Sequence, residues 1–125
     1  MRFAGYAAVF DRVDRGGDVV RAGAFARTLK LGGAVPLLWQ HQPARPIGRI
    51  ESLREDERGL RVIGRVVDGQ AAAALRAGAV SGLSFGYRVR AATGAGPREL
   101  TDLELVEVSL VSFPMQPAAR VHAVA

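Results

Sequence analysis

The sequence predicts a mainly β fold with flanking helices, an α+β arrangement in which antiparallel strands form a small, partly closed β-barrel. Most segments alternate apolar and polar residues, as strands do. Only two segments have the composition of helices, and the connections are too short for repeated parallel βαβ crossovers. The chain has 125 residues, of which 49% are hydrophobic, so it is large enough for one apolar core and too small for two. We therefore predict a single domain over residues 1–125.

Six segments have the pattern of strands, and turn-rich stretches separate them. The first mixes aromatic, β-branched and small residues and ends at a turn rich in aspartate and glycine. The third and fourth alternate on both sides of a short polar break, which predicts a hairpin. In chain order, the predicted strands are residues 3–10, 35–41, 46–55, 60–67, 81–91 and 98–113.

Two segments have the pattern of helices. In residues 23–33, Phe25 and Leu29 lie four positions apart, and a pair of glycines follows as a stop signal. Residues 68–80 are rich in alanine, with Asp68 as a start signal and a glycine near the end. Both helices are short, so we expect them to flank the strands.

Composition restricts the chemistry. The chain has no cysteine and only two histidines, so disulfides and thiolate chemistry are excluded and we expect no metal ion or other cofactor. No apolar run approaches the roughly 20 residues that span a bilayer, and the first residues do not resemble a signal peptide. We expect an intracellular protein with no membrane contact.

The last residues, from about 113 to 125, contain two prolines and should form an extended or mobile tail.

The charge of the chain is positive, with a net value of +5, and Lys30 is the only lysine. The arginines are scattered singly, without the interleaved aromatic residues that stack nucleic-acid bases. We therefore rank an arginine-rich coding bias first as the cause of the charge, an acidic protein partner second and nucleic acid third.

A serine motif offers the first chemistry, because Gly82, Ser84 and Gly86 spell G-x-S-x-G. The same letters mark the nucleophile elbow of α/β-hydrolases, but that fold does not fit in this chain, and the only histidine after the serine is His122. Within a strand, alternation places Ser84 and both glycines on the face opposite the apolar residues, and Ser81 on the apolar face. The glycines would then leave room for a substrate strand. Close packing of the sheet is the alternative.

A serine nucleophile needs a base, and an acid that orients the base. His41 is the last residue of the predicted strand 35–41, at the junction with a loop, where an imidazole can reach a neighbouring strand. A surface or capping histidine is the alternative. In the strand 98–113, alternation places Glu107 in a row with Leu105, so the acid needs a partner. That partner is either the histidine or an arginine. Glu104 lies on the other face and is expected to be solvated.

Four blocks of the sequence resemble one protein family and come in that family's order. They are "GYAAVFD…GDVVRAGAF", "VPLLWQHQPARPIGRI", "GAVSGLSFGYRV" and "LVEVSLVSFPMQPAA", and they extend from residue 5 to about residue 119. Together they resemble the prohead, or capsid maturation, serine proteases of tailed phages and gene transfer agents. The fold that this resemblance implies is that of the herpesvirus capsid protease, a small β-barrel with flanking helices.

The resemblance implies three catalytic residues. The W-x-H block places the histidine at His41, and the G-L-S-x-G block places the nucleophile at Ser84. Where the herpesvirus proteases have a second histidine, the phage enzymes have an acid, which corresponds to Glu107, with Asp102 and Glu104 as other candidates. The next segment reads "SFPMQP" where the herpesvirus proteases have paired arginines, so the resemblance assigns no oxyanion donors.

The activity that the resemblance implies is that of a serine endopeptidase in procapsid maturation. Its substrates would be a scaffolding protein or a scaffold-like segment of the major capsid protein, with self-cleavage also allowed. It would act in the host cytoplasm, inside the assembling procapsid, and a homodimer is allowed because herpesvirus relatives gain activity as dimers. Two other classes stay open, a non-catalytic capsid assembly factor on the same fold and a basic nucleic-acid-binding barrel.

Overall fold

Eight strands and two short helices make up the structure, a computed structural model that describes all 125 residues. The mainly β class with few helices is therefore confirmed. The sequence pattern does not reveal β2 and β8, which have three and four residues. Neither helix has the length and apolar character needed to cross a membrane. In chain order the elements are β1 (Arg2–Val9), β2 (Asp18–Val20), α1 (Ala26–Leu31), β3 (Pro36–Trp39), β4 (Gln42–Glu55), β5 (Gly59–Val66), α2 (Gly69–Arg76), β6 (Gly82–Thr93), β7 (Arg98–Val111) and β8 (Val121–Val124).

All eight strands belong to one sheet, in which β7 has the most neighbours. β6 pairs with one edge of β7 along most of its length, while β2 and β3 share the other edge. Beyond β3 the order continues with β4, β5, β1 and β8. Both β2 and β3 run parallel to β7, so the expectation of a purely antiparallel sheet is wrong at these two pairs. β2 and β3 lie along the same edge of β7, and α1 between them returns the chain to the start of the second strand. Both strands therefore run in the same direction as each other, which is also the direction of β7.

The strand ladders leave this sheet open, so the partial closure into a barrel is not confirmed. A segment near the end of the chain nevertheless lies between β6 and β1. The carbonyl oxygens of residues 119 and 120 accept hydrogen bonds from the N–H groups of Leu83 (2.9 Å) and Tyr6 (3.1 Å). This segment therefore connects the beginning of β6, where the serine motif lies, to β1.

One apolar cluster of 22 buried residues fills the inside of the fold. Its largest members include Phe3, Leu37, Leu60, Leu83 and Leu110, all at most 2% exposed. Burying a side chain of this size stabilises a fold by about 1.5–3 kcal/mol. The cluster lies on one face of β6 and β7, which leaves the opposite face of these two strands for polar residues.

The two helices follow their predicted signals. Asp68 is the N-cap of α2 and its carboxylate accepts a hydrogen bond from the N–H of Ala71 at 2.9 Å. Gly78 takes a φ of +73° just after the end of α2. α1 begins at Ala26, three residues later than the predicted start. Phe25 is the N-cap of the helix, and its side chain is buried in the core. The N–H of Phe25 donates to the carboxylate of Glu55 at 3.0 Å, which fixes this helix to β4.

A register shift in β7 decides which of its side chains face the core. Gly86 pairs with Glu107, but Tyr87 pairs with Leu105, so Val106 is an extra residue on β7. The alternation changes face at this bulge, and Leu105 joins the core cluster while Glu107 lies on the opposite face. The prediction that these two residues share a row is therefore wrong. Glu107 is nevertheless buried, with 7% of its surface exposed.

A two-residue turn joins β3 to β4 and carries His41. Trp39 pairs with Gln42, so only Gln40 and His41 lie between the two strands. Their φ angles are 50° and 60°, as in the type I′ turns that suit the twist of a hairpin. β3 therefore ends earlier than predicted, and His41 lies at the tip of a hairpin rather than at the end of a strand.

The segment after β7 is anchored by a buried glutamine and by β8. Nε2 of Gln116 donates to the carbonyl of Val9 at 3.0 Å, and its Oε1 accepts from the N–H of Val9 at 2.7 Å. β8 then pairs antiparallel with β1. Alternation does not reveal β8 because three of its four residues are exposed. The glutamine fixes residues 112–118 close to the serine motif.

Candidate active site

Ser84 lies near the start of β6, opposite Ser109 of β7. Only 5% of Ser84 is exposed, and its hydroxyl makes no hydrogen bond within the protein. Since no fully buried side-chain oxygen lacks a partner, the Ser84 oxygen must contact solvent. It does so in an open cleft of about 350 Å³ whose wall also includes His41.

His41 reaches this cleft from the tip of its hairpin, and Glu107 of β7 holds its ring. Nδ1 of the imidazole and Oε1 of the carboxylate are 2.5 Å apart. The imidazole is 45% exposed and the carboxylate 9%, so the histidine, and not an arginine, is the partner of the buried acid. Nε2 is the ring nitrogen that remains available. His41 and Ser84 form no hydrogen bond with each other in this structure. Hydrogen bonds between catalytic groups are often long without substrate and tighten when substrate binds.

Ser109 is a further member of this cluster and was not among the site residues predicted from the sequence. Its Oγ donates to Oε2 of Glu107 at 2.5 Å and accepts from the N–H of His41 at 3.1 Å. The residue is fully buried, where leaving such a group unpaired would cost about 1–3 kcal/mol. The two-residue spacing of Ser109 and Glu107, which puts both on one face of β7, is the signal that could have found it.

Gln40 fixes the same turn through its own side chain. Its Nε2 donates to Oγ of Ser112 at 2.7 Å, and the N–H of Ser112 donates back to Oε1 at 3.1 Å. The N–H of Gln40 also donates to the carbonyl of Leu110 at 2.9 Å. Both residues of the turn are therefore attached to the end of β7, which sets the position of the imidazole.

The contact with Glu107 raises the pKa of His41 above its ordinary value of 6.5. The hydrogen bond to the carboxylate is the main cause of the rise. Partial burial of the ring acts in the opposite direction, and the negative charge of the carboxylate adds to the rise. An imidazole accepts a proton only in its neutral form, so His41 can act as a base above this raised pKa.

Both glycines beside Ser84 lie against other parts of the protein. A Cβ at Gly86 would lie 2.6 Å from Oε1 of Glu107, and a Cβ at Gly82 would lie 2.8 Å from Cδ of Pro114. The room for a substrate strand that we expected over Gly82 and Gly86 is therefore occupied by the protein's own side chains. Gly86 makes room for the acid that holds the histidine.

Replacing Gly86 with alanine should displace Glu107 and reduce activity. The new methyl group would overlap the carboxylate, which would have to leave its position against His41. For the peptidase activity that the resemblance implies, we expect kcat to fall on the order of 10- to 100-fold, since small displacements of catalytic groups have effects of this size. Steady-state kinetics on a cleaved peptide measure the change. Gly69→Ala is the control, because a Cβ there meets nothing within 4 Å, and an unchanged kcat in Gly86→Ala would contradict this role.

Two loops form the rest of the cleft. Arg15 and Gly16 come from the turn between β1 and β2, and Phe113 and Met115 come from the segment after β7. The N–H of Arg15 donates to the carbonyl of Met115 at 3.1 Å, which joins the two loops. No group of three or more histidine, aspartate or glutamate side chains is placed to hold a metal ion. An unbonded hydroxyl beside an imidazole with a buried acid suits nucleophilic acyl transfer.

The other acids considered for the site have different partners. Glu104 forms ion pairs with Arg88 and Arg90 at the surface, as expected for a solvated residue. Asp102 pairs with Arg27. Neither acid contacts the histidine, so the structure brings only Glu107 to His41.

The chain is similar to known phage proteases over its whole length. Residues 1–125 match the family described as caudovirus prohead serine protease. The chain is also 33% identical, over 134 residues, to the prohead protease of Enterobacteria phage HK97. That match covers 97% of this chain and 59% of the length of the relative.

Solved viral proteases share the fold. The capsid assembly protease of bacteriophage T4 matches with a TM-score of 0.70 at 18% identity, covering 90% of this chain and 82% of that one. The KSHV protease, solved in complex with a hexapeptide phosphonate inhibitor, matches at 0.65 and 13% identity, covering 96% and 63%. The varicella-zoster virus protease matches at 0.62 and 15% identity, covering 97% and 62%. These likenesses establish a herpesvirus-protease type of fold, and the match over residues 1–125 shows that the chain belongs to the caudovirus prohead serine protease family.

Proposed function

We propose that this protein is a serine endopeptidase that cleaves capsid-assembly proteins during procapsid maturation. The observation that carries the proposal is the pairing of His41 with the buried Glu107 in the same cleft as the unbonded hydroxyl of Ser84. Membership of a prohead serine protease family supports this reaction class. The single apolar cluster supports one protease domain over residues 1–125.

Ser84 is the proposed nucleophile and His41 the proposed general base. Nε2 of His41 takes the proton from the Ser84 hydroxyl as the oxygen attacks the scissile carbonyl carbon. Glu107 accepts the hydrogen bond from Nδ1, which keeps Nε2 free to act as base and stabilises the imidazolium that forms. The imidazolium then gives its proton to the leaving amine, and the acyl group stays on Ser84. Water, deprotonated by His41, attacks the acyl-enzyme and releases the carboxylic acid and the free serine.

The negative oxygen of the tetrahedral intermediate needs hydrogen-bond donors. The backbone N–H groups of Phe113 and Met115 make no hydrogen bond within the protein, and both residues line the cleft. Pro114, between them, has no N–H to offer. Residues 113–115 are therefore the proposed source of the oxyanion donors, and the two hydrogen bonds of Gln116 to β1 hold them in place.

The proposed substrates are a scaffolding protein or a scaffold-like segment of the major capsid protein, with the protease itself as a further candidate. The relatives from phages HK97 and T4 are described as a prohead protease and a capsid assembly protease, which supports substrates of this kind. The proposed place of action is the assembling procapsid inside the host cell. The homodimer stays a prediction.

A fluorophosphonate probe tests the proposed chemistry directly. We expect covalent labelling of Ser84, detected by mass spectrometry of the modified peptide, because the probe reacts with activated serines. Ser81 is the internal control and should stay unlabelled. Co-expression with the major capsid protein proposed as substrate should also yield a capsid protein with a shortened N-terminus. An unlabelled Ser84 and an uncut capsid protein in assembling particles would favour a non-catalytic assembly factor.

A further inference from the structure

Arg15 is a charged residue without an assigned role in the wall of the proposed catalytic cleft. It lines the cleft together with Ser84 and His41. Its guanidinium takes part in none of the salt bridges of the protein. The only hydrogen bond of this residue is the backbone contact with Met115. Apart from the pair formed by His41 and Glu107, the cleft therefore has one charge, and that charge has no partner.

The turn that carries Arg15 is held by its own hydrogen bonds. Oδ1 of Asp14 accepts from the N–H of Gly16 at 2.8 Å and from the N–H of Asp18 at 3.0 Å. The N–H of Asp14 donates to the carbonyl of Asp18 at 2.8 Å, and Gly17 supplies a positive φ of 86°. The backbone position of Arg15 is therefore set before a ligand binds, which lowers the entropic cost of using it in recognition.

The walls of the cleft favour an acidic ligand for this arginine. Phe113 and Met115, on the facing loop, are 82% and 46% exposed, and a bound polypeptide would cover them and exclude water. An arginine covered in this way loses hydration, so it is stabilised only if the ligand supplies a carboxylate. Arginine pairs with carboxylates through two parallel hydrogen bonds, which strengthen as water is excluded.

We propose that Arg15 is a substrate-recognition residue that pairs with an acidic side chain of the polypeptide, within a few residues of the bond attacked by Ser84. The inference rests on the proposed protease function and adds a substrate class to it, segments with aspartate or glutamate near the cleavage site. Arg15 has no role in the proposed proton transfer, which His41 carries out with Glu107 as its hydrogen-bond partner.

Digestion of a randomised peptide library with the purified 125-residue protein tests this inference. Mass spectrometry of the products should show aspartate or glutamate enriched at one position near the cleaved bond. Arg15→Met should abolish the enrichment, and Arg15→Glu should replace it with lysine or arginine. Arg12→Glu is the matched control, since it makes the same charge change in the same turn but outside the cleft, and it should keep the wild-type profile.

Kinetics on one acidic peptide from this library separate recognition from catalysis. Arg15→Met should lower kcat/KM about tenfold through a higher KM, while kcat and its pH profile stay unchanged. This is the effect of losing one charge-assisted hydrogen bond that is equally strong in the bound substrate and in the transition state. Replacing the acid of the peptide by lysine should restore cleavage by Arg15→Glu.

Two results would overturn the inference. One is an acidic preference that persists in Arg15→Glu. The other is a lower kcat on every peptide whatever its charge, which would make Arg15 an oxyanion-stabilising residue. A wild-type protein that cleaves no peptide would instead contradict the proposed protease function, and that result is distinct from the other two.

Discussion

Ser84→Ala should abolish peptide cleavage and leave the fold unchanged. The Ser84 oxygen is the attacking atom of the proposed mechanism, and removing a serine nucleophile lowers kcat on the order of 10⁵- to 10⁶-fold. The hydroxyl makes no hydrogen bond within the protein, so its loss leaves no buried group unpaired. The free energy of unfolding should therefore change by no more than about 0.5 kcal/mol. Initial rates on a cleaved peptide and denaturant unfolding measure the two effects.

Ser81→Ala is the matched control for this prediction. Ser81 lies three residues earlier in the chain, and its hydroxyl accepts a hydrogen bond from Arg120 at 3.2 Å. It does not line the cleft, so the variant should keep the wild-type rate. If Ser84→Ala cleaved as fast as the wild-type protein, Ser84 would be excluded as the nucleophile.

Glu107→Gln should lower kcat on the order of 10²- to 10⁴-fold while the protein stays folded. Glutamine has nearly the same shape, but it has no charge to stabilise the imidazolium. Its amide can also offer an N–H to Nδ1 of His41, which would favour the tautomer in which Nε2 is protonated and unable to act as base. Fixed-time peptide cleavage assays measure kcat, and circular dichroism shows that the protein stays folded.

The same variant should shift the pH dependence of kcat/KM. In the wild-type protein the neutral imidazole is the base and the pKa of His41 is raised, so activity should rise with pH through a midpoint above 6.5. In Glu107→Gln the main cause of the rise is absent, while burial still lowers the pKa of His41, so the midpoint should move to lower pH.

Glu104→Gln is the control for both effects. It removes a carboxylate from the same strand, but the partners of Glu104 are Arg88 and Arg90 at the surface, so neither kcat nor the pH midpoint should change. A Glu107→Gln protein with wild-type kcat and only a lower melting temperature would show that Glu107 acts in stability alone.

The alternation of apolar and polar residues predicts the long strands of this fold because each of these strands has one apolar face. It does not predict that β2 and β3 run parallel to β7, since β2 has only three residues and its partners lie about 80 positions away in the chain. It also misses the bulge at Val106. Three of the four residues from Leu105 to Val108 are apolar, so the sequence does not show which face each of them takes, and only the pairing with β6 shows where Glu107 faces.

The candidate site is predictable only in part, for a similar reason. His41 and Ser84 can be selected by residue type and by position next to a loop or glycine, and Glu107 by the cost of burying a charge. Gln40 cannot be selected in this way, because its contact joins residues 72 positions apart. For Ser109 the spacing from Glu107 indicates a shared face, but not the contact with His41, which is 68 positions away. Residues such as these are common in strands and turns, and only the folded structure shows that they hold the imidazole.

The left-handed backbone at Gln40 and His41 makes stability and activity compete at this turn. Type I′ turns are most stable with asparagine and glycine, and other residues held in the left-handed region cost about 1–2 kcal/mol each. The hydrogen bonds to Ser109 and Ser112 offset part of that cost. Engineering for thermal stability that installed the preferred turn residues would remove the proposed base, so such work has to start elsewhere in the molecule.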